Sequence, residues 1–127
     1  MRLFVVRHAE AAPGDPDELR PLTEAGRAVA RALGEYLADR DLDAVLASPL
    51  LRARETAEAI ARPSGLTAEP DERLAPGADA DTVREAVAGR GEAVVAVGHQ
   101  PDCSEIVLAL TGERVPFEPG AVHEVEL

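Results

Sequence analysis

Glu92-Ala93-Val94-Val95-Ala96-Val97-Gly98-His99 is the stretch whose reading decides the fold. Its apolar run is unbroken from Ala93 to Val97, the pattern of a strand buried on both faces, and such strands belong to parallel sheets covered by helices. On either side the periodicity changes. A short helix is expected upstream from Asp81 to Ala88, and Pro101 opens another downstream that ends near Thr111-Gly112. The same alternation runs through the rest of the chain. Arg2 to Val6 reads as a first strand, and residues 9–21 as a loop rich in Pro, Gly and Asp. A helix is expected from Thr23, its N-cap, to about Arg40, with Ala25, Ala28, Val29, Ala32, Leu33, Tyr36 and Leu37 forming one buried stripe. Asp43 to Ala47 reads as a second strand, followed by Ser48 as N-cap and Pro49 at the start of a helix running to about Ala61. Further strands are expected near Leu66–Glu69 and over Val122–Leu127. Strands alternating with helices imply parallel pairing and right-handed crossovers. The expected fold class is α/β, a three-layer α/β/α sandwich with a mostly parallel central sheet.

The chain has 127 residues, enough for one domain spanning 1–127 with a core that folds without covalent staples. Apolar residues make up 46% but aromatics only 2%, so alanine, leucine and valine must build that core. The net charge of −11 argues against nucleic acid and anionic membranes as partners, since both require a basic patch. No apolar stretch reaches transmembrane length, and residues 1–6 are too short and too weakly charged for a signal peptide. The lone cysteine, Cys103, has no internal partner, so a reducing, cytoplasmic setting is expected. Nothing in the sequence bears on oligomeric state.

In an open parallel α/β sheet the ligand site belongs at the carboxyl ends of the strands. Arg7-His8, Ser48–Arg52 and Gly98-His99 all fall at such ends. Guanidinium forks hold the oxygens of a tetrahedral anion in pairs, and a neutral imidazole beside them is a nucleophile near pH 7. Other readings are weaker. A three-histidine metal site would need His123 beside His8 and His99, whereas its place in the last strand suggests a structural role. A cysteine nucleophile at Cys103 would need an arginine six residues on, and position 109 is alanine. Arg20 stands either at the rim of the site as an extra anion contact or on the plain surface, and Glu55 and Glu58 read as a solvated helix face.

Four segments carry a family resemblance: Arg7-His8-Ala9-Glu10, Arg20-Pro21-Leu22-Thr23-Glu24-Ala25-Gly26, Ser48-Pro49-Leu50-Leu51-Arg52-Ala53-Arg54-Glu55-Thr56-Ala57, and Gly98-His99-Gln100-Pro101-Asp102. Together, in this order, they resemble the histidine phosphatase (phosphoglycerate mutase-like) superfamily, and within it the SixA-type phosphohistidine phosphatases. The resemblance implies that His8 is the catalytic nucleophile, forming a transient phosphohistidine. It implies that Arg7 and Arg52 bind phosphate, and that His99 is the second catalytic histidine, donating to a phosphoryl oxygen. No cofactor and no metal are implied, because such transfer needs mainly positioning and electrostatics.

The match has one gap. Many relatives carry a proton-donating glutamate in a pattern like Asp-x-x-Leu-x-Glu, but here Asp71-Glu72-Arg73-Leu74-Ala75-Pro76 puts proline at that place. Glu72, and behind it Glu10, are the remaining candidate donors. An alcohol leaving group of high pKa needs protonation as its bond to phosphorus breaks, whereas a protonated phosphoimidazole leaves as neutral imidazole without help. The expected function is therefore a metal-independent phosphatase whose substrate is a phosphorylated group, foremost a phosphohistidine carried on another protein. A small-molecule phosphomonoesterase and a non-catalytic phosphate-binding module are the alternatives.

Overall fold

The computed structural model describes all residues, Met1 to Leu127. Five strands and four helices follow in the order β1 (Arg2–Arg7), α1 (Glu24–Leu37), β2 (Ala44–Ala47), α2 (Leu51–Ala61), β3 (Ala68–Pro70), α3 (Ala80–Val87), β4 (Ala93–Gly98), α4 (Asp102–Thr111) and β5 (Val122–Glu126). They form one sheet of order β3-β2-β4-β1-β5, in which only the β1–β5 pair is antiparallel. The α/β class with a mostly parallel sheet is as expected. Strand β3 starts two residues later than expected and ends one residue later, on Pro70. Proline is tolerated there because β3 lies at the edge of the sheet.

Alternation along the strands separates two cores. Phe4, Val6, Val45, Ala47, Ala93, Val95 and Val97 face α1 and α2, while Leu3, Val5, Ala44, Leu46, Val94 and Ala96 face α3 and α4. The period of two is the pleat itself, and both faces being apolar is why β4 reads as a continuous run. Helices on both faces complete the three layers.

The α1 stripe departs from expectation. Only Leu33 and Leu37 of the seven expected residues are buried; Val29 and Tyr36 are 43% and 57% exposed. The buried face is instead Gly26, Ala30, Leu33, Gly34 and Leu37. Glycine lets backbones meet: a Cβ at Gly26 would stand 2.1 Å from the Glu10 carbonyl oxygen, and one at Gly34 would stand 2.4 Å from that of Ala59. Periodicity counted by apolar side chains cannot see a face made by having none. Thr23 does cap the helix, accepting from the Gly26 amide.

The start of α2 also differs. The helix begins at Leu51, with Leu50 rather than Ser48 as N-cap. Ser48 is fully buried and has another partner, described below.

Candidate active site

Strands β1 and β4 run side by side in parallel register, with Arg7 paired to Gly98. Neighbouring strands lie about 4.8 Å apart, so the residues that follow each strand start out as neighbours. These are His8 and His99, and their ring centroids stand 5.3 Å apart with planes tilted by 59°. The His8 amide donates to the Gly98 carbonyl (3.0 Å), which ties the two turns together at the main chain.

The orientation of His8 is set by its own turn. Its Nδ1 lies 2.7 Å from the Ala9 carbonyl oxygen, which can only accept, so Nδ1 carries the proton and Nε2 keeps its lone pair. The Ala9 amide in turn donates to Thr56 Oγ1 (3.1 Å), whose hydroxyl donates to the Arg52 carbonyl (2.8 Å). The nucleophile candidate is thereby joined to the helix that presents Arg52. Burial lowers the His8 pKa below 6.5; the Ala9 hydrogen bond opposes this, and the charges of Arg52, Arg7 and Arg20 reinforce it.

His99 is only 5% exposed. Its Nε2 lies 2.8 Å from Ser48 Oγ, and the ring has no other hydrogen bond. Burial, followed by the charges of His8 and Arg52, lowers its pKa to about 4. Both rings are therefore neutral at pH 7.

Arg7 and Arg52 flank the histidines. Arg7 donates through one terminal nitrogen to the Phe117 carbonyl (2.9 Å), while its buried Nε has no partner. A buried N–H left unpaired is costly unless a ligand supplies the acceptor. Arg52, from the first turn of α2, is 8% exposed and directs its fork at Asp17: 2.9 Å to the main-chain carbonyl and 3.1 Å to Oδ2. Arg20 closes the same cluster. Its Nε donates to the Ala12 carbonyl (2.8 Å) and a terminal nitrogen to Asp17 Oδ1 (3.0 Å). The hydrogen bonds from Arg20 and then Arg52 hold the Asp17 carboxyl below the usual carboxylate range.

Arg7, His8, Arg52 and His99 thus converge, with Arg20 at the mouth. The candidate proton donors make no hydrogen bond to them. Glu72 is exposed, in a 3-10 turn over Glu72–Leu74, and makes no hydrogen bond or ion pair with any of the five. Glu10 accepts from Thr23 Oγ1 at 2.7 Å. His123 lies in β5 opposite Val5, 3.9 Å from Glu113. Buried Cys103 has its thiol pushed up to about 12, mainly by burial. Glu55 is not part of a solvated face: it accepts from the Leu22 amide (2.8 Å) and anchors the loop before α1. Sequence reasoning missed Asp17, Ser48 as the partner of His99, and Thr56. Ser48 and Thr56 do lie inside the quoted motif, which was the one available signal for them.

The family model of the histidine phosphatase superfamily (branch 1) matches residues 3–76. The phosphohistidine phosphatase SixA of Escherichia coli is 33% identical over 138 aligned positions, spanning 100% of this chain and 86% of that protein. The solved structure of the protein histidine phosphatase SixA complexed with tungstate matches with a TM-score of 0.88 at 30% identity, covering 100% of this chain and 88% of that one. An uncharacterized protein of Mycobacterium tuberculosis is 51% identical over 53 residues, 42% of this chain, and the matched stretch spans only 26% of that relative.

Proposed function

The chain belongs to the histidine phosphatase superfamily (branch 1) as one of its phosphatases, and from that premise we propose that it dephosphorylates phosphohistidine carried on a protein, with His8 as nucleophile. The observation that carries the reading is the His8 tautomer: Nδ1–H is spent on the Ala9 carbonyl, and the free Nε2 lone pair stands beside His99 between two arginines.

In the proposed first step, Nε2 of His8 attacks phosphorus while the bond from phosphorus to the substrate imidazole breaks. The bonding pair returns to the substrate ring, which is already protonated on its other nitrogen and departs neutral. His8 becomes the cationic phosphoimidazole in its place, its Nδ1–H still on Ala9, so no proton moves. Water then attacks phosphorus, the pair in the Nε2–P bond returns to His8, and dihydrogen phosphate leaves. Arg7 and Arg52 would hold the equatorial oxygens, and His99 would add a donor.

The choice of leaving group rests on where the acids lie. Glu72 is exposed without a partner at the site, Glu10 is engaged by Thr23, and Asp17 is held ionised by two guanidiniums. None of these supports proton donation to an alkoxide, and a phosphoimidazole needs none. The test compares turnover of a phosphohistidine peptide with that of sugar phosphates at pH 7. Enzyme quenched in alkaline denaturant, which preserves the N–P bond, is also examined for label on His8. Preference for the phosphohistidine and label on His8 are expected; preference for the sugars would overturn the substrate, and label elsewhere the nucleophile.

A further inference from the structure

The arginine proposed to grip phosphate already has an occupant, Asp17. Asp17 meets the Arg52 fork with both its main-chain oxygen and Oδ2, while Oδ1 is held by Arg20. The two arginines differ in depth. The Arg52 side chain is 9% exposed, that of Arg20 is 29% exposed, and that of Asp17 is 60% exposed. The carboxylate therefore sits on the solvent side of the buried fork. A phosphoryl group that takes the Arg52 terminal nitrogen now on Oδ2 displaces that oxygen there. Nothing in that exchange breaks the contact of Oδ1 with Arg20, which its Nε bond to Ala12 holds in place. The negative charge is left at the mouth, on the side from which the rest of the substrate projects. The neighbouring exposed side chains Asp15 and Glu18 carry the same sign.

We propose that Asp17 determines which leaving groups the site accepts, favouring a neutral or cationic group that bears an N–H and rejecting one that carries its own anion. The inference rests on the phosphatase reading above and deepens it. A protonated phosphoimidazole presents a cationic ring with an N–H that a carboxylate at the mouth accepts. A carboxylate or second phosphate on the leaving group meets a like charge at close range, and such repulsion separates substrates even when attraction to the common phosphoryl group is equal. Because Asp17 is largely exposed, the effect is modest, on the order of the strength of a solvent-screened pair.

The experiment measures kcat/KM of the wild type and Asp17→Asn on a phosphohistidine peptide and on phosphoglycolate, whose leaving group bears a carboxylate. The wild type is expected to prefer the peptide, and Asp17→Asn to lower that preference roughly two- to fivefold. Each ratio is taken on one protein sample, so any loss of folded enzyme cancels. A ratio unchanged by Asp17→Asn, with the wild type active on the peptide, overturns this inference and leaves the functional reading intact. A wild type inactive on the peptide overturns the functional reading itself.

Discussion

The two histidines are the same residue type at the ends of adjacent strands, yet they are held by different means. At the end of β1, His8 is oriented by main-chain groups: its ring donates to the Ala9 carbonyl and its amide to that of Gly98. At the end of β4, His99 is oriented by one side chain, the Ser48 hydroxyl. Backbone carbonyls are present whatever the side chains, so no side-chain truncation beside His8 deprives its ring of a partner. His99 depends on a residue that a single substitution removes. The group proposed to do the covalent chemistry thus has the support less open to substitution.

The sharpest way to test that division is His8→Ala. Hydrolysis is expected to fall by about 10⁴-fold or more, while inorganic phosphate or vanadate, measured by calorimetry, still binds within about threefold of wild type. His99→Gln should cost less, about 10²-fold in kcat, the scale of one lost donor to a developing anion. If the two losses were equal, the separate roles of the two ends would be wrong.

A change that disturbs the β1 end must move backbone, and Gly26→Ala does so. Its new Cβ would meet the Glu10 carbonyl oxygen at 2.1 Å, two residues beyond His8. A destabilisation of about 3 kcal/mol in urea unfolding is expected, with kcat falling in the folded fraction. Ser48→Ala addresses the other end and should lower kcat about tenfold. In the double variant Ser48→Ala/His99→Gln the loss should be no greater than in His99→Gln alone, since Ser48 acts through the ring; additive losses would refute that positioning role.

The smallest expected signal is in pH. A histidine whose folded pKa lies below its unfolded value takes up its proton later in the folded state. Stability is then full above pH 6.5 and declines as pH falls from 6.5 towards about 4. His99→Gln should flatten the unfolding free energy across that window. Asp17 and Asp71, whose folded values lie below 3.8, contribute only at lower pH: the stability they add is present above 3.8 and lost beneath it. The acid limb of kcat/KM, governed by His8, should fall below pH 6.5 for the same reason of burial.

The contrast between the two ends also marks how far the sequence could be read. The strand ends were legible because a continuous apolar run such as Ala93–Val97 has one stable use, inside a covered parallel sheet, and Arg7-His8 and Gly98-His99 follow such runs directly. Arg52 was legible through its motif. The buried face of α1 was not, because Gly26 and Gly34 pack by having no side chain, and exposed Val29 and Tyr36 imitate a core stripe. Ser48 read as a helix cap because serine before Pro49 usually is one, and only the neighbouring β4 end supplies the imidazole that claims it.

By itself the sequence determined the layered fold, the edge of the sheet where the site lies, and four of the side chains that meet there, since period and strand-end position are local properties. Only the tertiary structure decided that Asp17 occupies the Arg52 fork, that Ser48 bonds the His99 ring, and that Glu10 is engaged by Thr23. Those contacts join residues from separate elements, and no local pattern encodes a distance across the fold.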